Sequence, residues 1–194
     1  SSDVCSSDLL NYRGTTNSTL EYARYNQTVL GNESVIAYSS IPPKGKDVGT
    51  AEEIIGAIET EFKLVKYDNN DHLNKISAEY DFVYSQRAGE RVDGLTQHVN
   101  PVIDTARFGV HCVFQYCDPH GDVYAYISEW LAKTVSQNYE KPLYPHVPYI
   151  VDMPPPNYDT RAHLGIPKDK FVIGRLGGYI TFDLIWMHRV IERV

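Results

Sequence analysis

Cysteine is scarce in this chain: three residues, Cys5, Cys112 and Cys117, among 194. Cys112 and Cys117 stand too far apart for the usual close zinc-ligand pair, and Cys5 is alone. No metal site is therefore read from the sequence, and the thiols are taken as buried or incidental. Positive charge is also in short supply. Eighteen Lys and Arg stand against 25 Asp and Glu, for a net charge of −7, which argues against nucleic acid as a primary partner. No run approaches the roughly 18 apolar residues of a transmembrane helix. No signal segment is visible either, so the expected compartment is the cytoplasm. Finally, no G-x-G-x-x-G follows a strand and no acidic residue lies at ribose-binding distance, which counts against a dinucleotide-dependent oxidoreductase.

What is present is an alternation of helical and extended patterns. Ser18-Thr19-Leu20-Glu21 reads as a capping box that starts a helix running to about Leu30. "SVIAYSS" (34–40) follows as a strand of β-branched and aromatic residues. Thr50-Ala51-Glu52-Glu53 reads as a second capping box, with Ile54, Ile55, Ile58 and Phe62 on one helical face. Strands are expected at 63–68, 81–86, 108–116, 123–128 and 149–151, with a short helix near 71–79 and another capped by Ser128. "MPPP" (153–156) interrupts the pattern as a linker does. Helices alternating with short buried strands predict an α/β, Rossmann-like parallel sheet with flanking helices.

Such a sheet begins with a strand, whereas the first clear element here is a helix. The opening "SSDVCSSDL" repeats Ser-Ser-Asp and shows no useful periodicity. Residues 1–9 read as a non-native, adapter-derived segment, and the first strand is expected to be lost. Its neighbours would then keep unpaired backbone groups, each costing about 1–3 kcal/mol if buried.

Several stretches carry a resemblance to a family. "RGTTNSTLEYARYNQTVLGNESVIAY", "HGDVYAYISEWLAKT", "YPHVPYIVD" and "RAHLGIPKDKFVIGRLGG" occur in this order. Together they resemble the N-terminal half of a GT-B-fold glycosyltransferase of the retaining group 1 type. The resemblance implies a Rossmann-like acceptor-side domain over 10–152 and an interdomain linker over 153–170. Residues 171–194 would be the truncated start of a donor-binding domain. It further implies a nucleotide-sugar co-substrate, no bound cofactor or metal, and a glycan, lipid-linked or other hydroxyl acceptor. A fragment of this extent is expected to be inactive alone, and peripheral membrane association is left open.

The same resemblance suggests site residues. Arg175 matches the family's arginine on the donor diphosphate, with Gly177 and Gly178 beside it. The lysine that normally follows is absent, since residues 177–184 contain no basic residue. Gly14 and Thr15 would sit at the tip of the first βα loop, where a helix start favours an anion. They read equally as a turn and a cap.

Other candidates come from their position in the pattern. His120 lies in the polar loop "DPHGD" between two strands and is the candidate catalytic group, flanked by Asp118 and Asp122. His111, in an apolar strand, reads as a core histidine. Arg87, Glu90 and Arg91 follow a strand end, where open α/β sheets bind ligands. With Asp118 they form a candidate acceptor site for a polar or anionic molecule, and a charged loop is the plainer alternative. A non-catalytic α/β binding module or pseudoenzyme is the main competing reading of the whole chain.

Overall fold

The computed structural model describes residues 1–7, 10–12, 14–39, 50–91, 103–152, 159–172 and 189. The chain divides into two compact units, Ser1–Asp152 and Met153–Val194. In the second unit the described residues include one short helix, Thr160–His163, capped by the Asp159 side chain on the Ala162 amide.

The first unit is built on strands β1 (Ser2–Ser7), β2 (Glu33–Ser39), β3 (Lys63–Tyr67), β4 (Phe82–Arg87), β5 (Arg107–Cys112) and β6 (Val123–Tyr126). Helices α1 (Gly14–Thr28), α2 (Glu52–Glu59), α3 (Asn70–Ser77) and α4 (Glu129–Tyr139) connect or follow them. The strands form one sheet in the order β3-β2-β1-β4-β5-β6, and every pairing is parallel. This is the Rossmann-like α/β architecture that the alternation of elements predicts. Side chains alternate between faces along each strand, so neighbouring residues of β1 reach different cores. Val4 joins Val83, Phe108, Val110, Tyr126, Leu73 of α3 and Leu131 of α4. Cys5 joins Ile36, Ala23 of α1 and Ile58 of α2 on the other side.

The strand expected to be lost is present. Ser2–Ser7 is β1, in the middle of the sheet, with Val4 opposite both Val35 and Val83. Val4 is fully buried and Cys5 nearly so. Its backbone is paired on both sides, and the Ser1 and Ser2 carbonyls also accept from Glu33 and Asp81 N–H. The unpaired neighbours foreseen from the sequence do not occur.

Other element boundaries also move for identifiable reasons. Helix α1 starts at Gly14, one turn before the Ser18 box. Thr16 Oγ1 accepts from the Asn11 amide at 3.1 Å, and Ser18, now inside the helix, is buried. At α2 the N-cap is Ala51 with no side-chain cap, and Thr50 Oγ1 accepts from Leu10 N instead. Ser128 does cap α4, accepting from Leu131 N at 3.2 Å. Residues 149–151 are not a strand. Pro142, Pro145 and Pro148 lack the N–H a ladder needs, and only His146 bridges to Tyr126 at the sheet edge. Among the described residues no helix is long and apolar enough to cross a membrane.

Candidate functional site

In an open parallel sheet, ligands settle outside the carboxyl ends of the strands. Here the ends of β4, β5 and β6 are tied together by backbone bonds that outlast the strands. Val113 N donates to Arg87 O and Phe114 N to Ala88 O. Ile127 N donates to Cys112 O. Above this floor lies an open groove of about 990 Å³, lined by Ala88, Glu90, the 113–116 stretch, Ile127, Ser128, Trp130 and Leu131. Its rim is aromatic: Phe114, Tyr116 and Trp130 are 52%, 45% and 66% exposed. Large rings left this open beside one another are the unusual feature, because burial is their normal fate.

Two devices hold the groove wall. Gly89 adopts φ +121°, and a Cβ there would stand 2.7 Å from the Tyr116 carbonyl oxygen. Only glycine allows this approach. From below, the Tyr126 hydroxyl donates to Tyr116 O at 2.8 Å, and the Tyr124 hydroxyl donates to Gly89 O. Burial raises both tyrosine pKa values, which keeps these hydroxyls as donors.

The acceptor-site candidates separate into two groups. Glu90 lines the groove and has no hydrogen-bond or ion-pair partner among the described residues. Arg87 does not line it. Its side chain is buried, lies 5.0 Å over the Phe108 ring, and donates from Nε to Ser85 Oγ at 3.3 Å. Arg91 is turned to the following loop, where its Nη2 donates to Pro119 O and its backbone N to Asp118 Oδ2. Asp118 therefore ties Arg91 down and is not among the groove-lining residues.

His120 sits with Arg87. Its Nδ1 donates to the Asp118 carbonyl at 2.7 Å, which leaves Nε2 to accept from Arg87 Nη1 at 3.4 Å. Burial is the main reason its pKa is lowered, and the two arginines add to the effect. The ring is thus neutral, with its basic nitrogen committed to Arg87, and it packs between Phe108 and Tyr124. Asp122 serves the start of β5: its Oδ2 accepts from Phe108 N at 2.7 Å.

His111 is a core histidine, buried on the opposite face of the sheet and bonded at both nitrogens. Nε2 donates to Val147 O at 2.8 Å, and Nδ1 accepts from the Tyr84 hydroxyl at 2.8 Å. Gln86 Nε2 continues the chain, donating to Tyr84 and to Ser18 Oγ.

Gly14 and Thr15 are exposed at the start of α1, and a Cβ on Gly14 would meet nothing within 4 Å. Steric need does not explain this glycine. Arg175, Gly177 and Gly178 lie outside the described residues. The aromatic groove was not foreseen from the sequence. The signal available was three large aromatics, Phe114, Tyr116 and Trp130, all just past strand ends.

Fold and groove together define an α/β protein of the Rossmann-like class with a ligand-sized concavity at the carboxyl edge of its sheet. No family model, curated protein or solved structure matches the chain.

Proposed function

We propose that this chain carries the acceptor-side domain of a glycosyltransferase that uses a nucleotide-sugar donor. The observation that carries the reading is the groove at the ends of β4, β5 and β6, lined by three exposed aromatic rings and one carboxylate that has no partner among the described residues. Its size falls within the roughly 300–1,000 Å³ of small-molecule sites. A carboxylate only accepts hydrogen bonds, so it suits a hydroxyl-bearing ligand, and aromatic faces suit the apolar side of a sugar ring. The ordered sequence resemblance to group 1 enzymes supports the same assignment. In this reading Arg175 and its neighbours serve the donor diphosphate.

The dinucleotide reading is disfavoured at the β1–α1 connection. "DLLNYRG" (8–14) offers a single glycine where a pyrophosphate fingerprint needs several. Calorimetric titration of the chain with methyl glycosides, and separately with nicotinamide dinucleotides, tests the choice. Glycoside binding that weakens in Trp130→Ala is expected. Dinucleotide binding with no glycoside binding would overturn the reading.

A further inference from the structure

The groove's charge carries an inference about which acceptor it takes. Three charged residues stand at or just past the end of β4, close enough to serve a ligand there: Arg87, Glu90 and Arg91. From the sequence, two arginines and one glutamate suit a polar or anionic molecule. The structure removes both cations from the groove. Arg87 is buried against Phe108, Ser85 and His120. Arg91 is held by Asp118 and the Pro119 carbonyl. Neither lines the concavity, and Glu90 is the one charged residue that does, among the described residues. The remaining lining is apolar or neutral: Ala88, Val113, Ile127, Leu131, Gln115, Ser128 and the aromatic rim.

We infer that the groove selects an uncharged, hydroxyl-rich acceptor and rejects its anionic counterpart, with Glu90 as the discriminating residue. The inference rests on the glycosyltransferase reading and adds a charge rule to it. Two features of the lining act together. Glu90 offers acceptor lone pairs to ring hydroxyls, and Trp130 offers a face for the carbon side of the ring. A carboxylate on the ligand would meet Glu90 with no arginine among the described lining residues to compensate. Like charges about 4 Å apart repel by about 1 kcal/mol in water and about 4 kcal/mol at an effective dielectric near 20. Discrimination of about fivefold or more follows. The Ser128 hydroxyl, which accepts from Leu131 N, is neutral and supplies no positive charge to offset Glu90.

The test compares methyl glucoside with methyl glucuronide, and the corresponding galactose and mannose pairs, by ligand-observed NMR titration of the whole chain. The two members of each pair differ at the exocyclic carbon, as a hydroxymethyl group or a carboxylate. Wild-type protein is expected to bind at least one neutral glycoside about fivefold or more tightly than its uronide. Glu90→Gln is expected to shrink that ratio towards unity, and Trp130→Ala to weaken both members by about three- to tenfold. Both side chains are partly or largely exposed, so neither variant threatens the fold. Uronides that bind the wild type as well as the neutral sugars, or a ratio unchanged in Glu90→Gln, would overturn the charge rule and leave the glycosyltransferase reading standing. Absence of binding by every glycoside would overturn both.

Discussion

The Tyr84 hydroxyl lies 2.8 Å from Nδ1 of His111, joining β4 to β5 on the face covered by α1. The hydrogen bonds run in one direction, from Gln86 through Tyr84 and His111 to the Val147 carbonyl. Val147 N donates in turn to Tyr126 O, and the Tyr22 hydroxyl to Pro148 O at 2.6 Å. Segment 145–149, too rich in proline to pair as a full strand, is therefore fastened to the sheet by backbone bonds to Tyr126 and by the side chains of His111 and Tyr22. Removing the middle of this chain leaves a buried ring nitrogen unpaired. Tyr84→Phe is expected to destabilise the first unit by about 1–3 kcal/mol, measured by urea unfolding.

Stability should also depend on pH through His111. Burial, the main cause, lowers its pKa below the ordinary value of about 6.5. The titratable groups packed around it, Tyr22, Tyr84 and Tyr149, are kept neutral by burial. The unfolded chain then binds a proton more readily than the folded one, so stability rises with pH between the lowered value and about 6.5. His120 acts in the same direction. Thermal denaturation is expected to shift to lower temperature as pH falls from about 7.5 to about 5.5, and His111→Gln should flatten that dependence.

Thiol reactivity reports directly on β1. Burial pushes the Cys5 and Cys112 thiols up to about 12, and both are shielded from solvent, while Cys117 is half-buried. Disulfide exchange requires an accessible thiolate. A thiol-specific disulfide reagent at neutral pH should therefore label Cys117 first in the native protein and all three cysteines in denaturant. Rapid labelling of Cys5 in native protein would show that Ser2–Ser7 is not held inside the sheet.

The parallel sheet was legible because β2 to β6 are short apolar runs and helical periods separate β2 from β3 and β3 from β4. Strand β1 was not. "SDVCSS" has two apolar residues, and its repeated Ser-Ser-Asp resembles low-complexity sequence. A central strand is stabilised by backbone pairing on both sides, and that pairing leaves no mark in side-chain pattern. Ser18 misled for a related reason: its capping pattern is real, but Gly14-Thr15-Thr16 extends the helix by a turn, and the hydroxyl is used by Gln86. Arg87, Glu90 and Asp118 were readable as residues close to one strand edge. Their division into a buried Arg87, a loop carboxylate at Asp118 and a groove carboxylate at Glu90 depends on packing such as that of Arg87 against Phe108 and His120, which sequence spacing does not encode.

Gly89 is expected to be intolerant of substitution. Alanine would combine an unfavourable positive φ with a Cβ at 2.7 Å from Tyr116 O. The expected cost is about 1–3 kcal/mol in unfolding free energy. Because Tyr116 forms part of the rim, weaker glycoside binding should accompany it in the folded fraction. Gly14→Ala, with open space around it and no positive φ, serves as the control.

The central claim is that ligand recognition belongs to the aromatic groove at the ends of β4, β5 and β6. The most direct measurement is an amide NMR titration of isotope-labelled chain with the neutral glycoside that binds best. The account predicts shift changes concentrated at residues 88–90, 113–116 and 127–131, which build and line the groove. Changes confined to other parts of the sheet, or none up to saturating ligand, would contradict it.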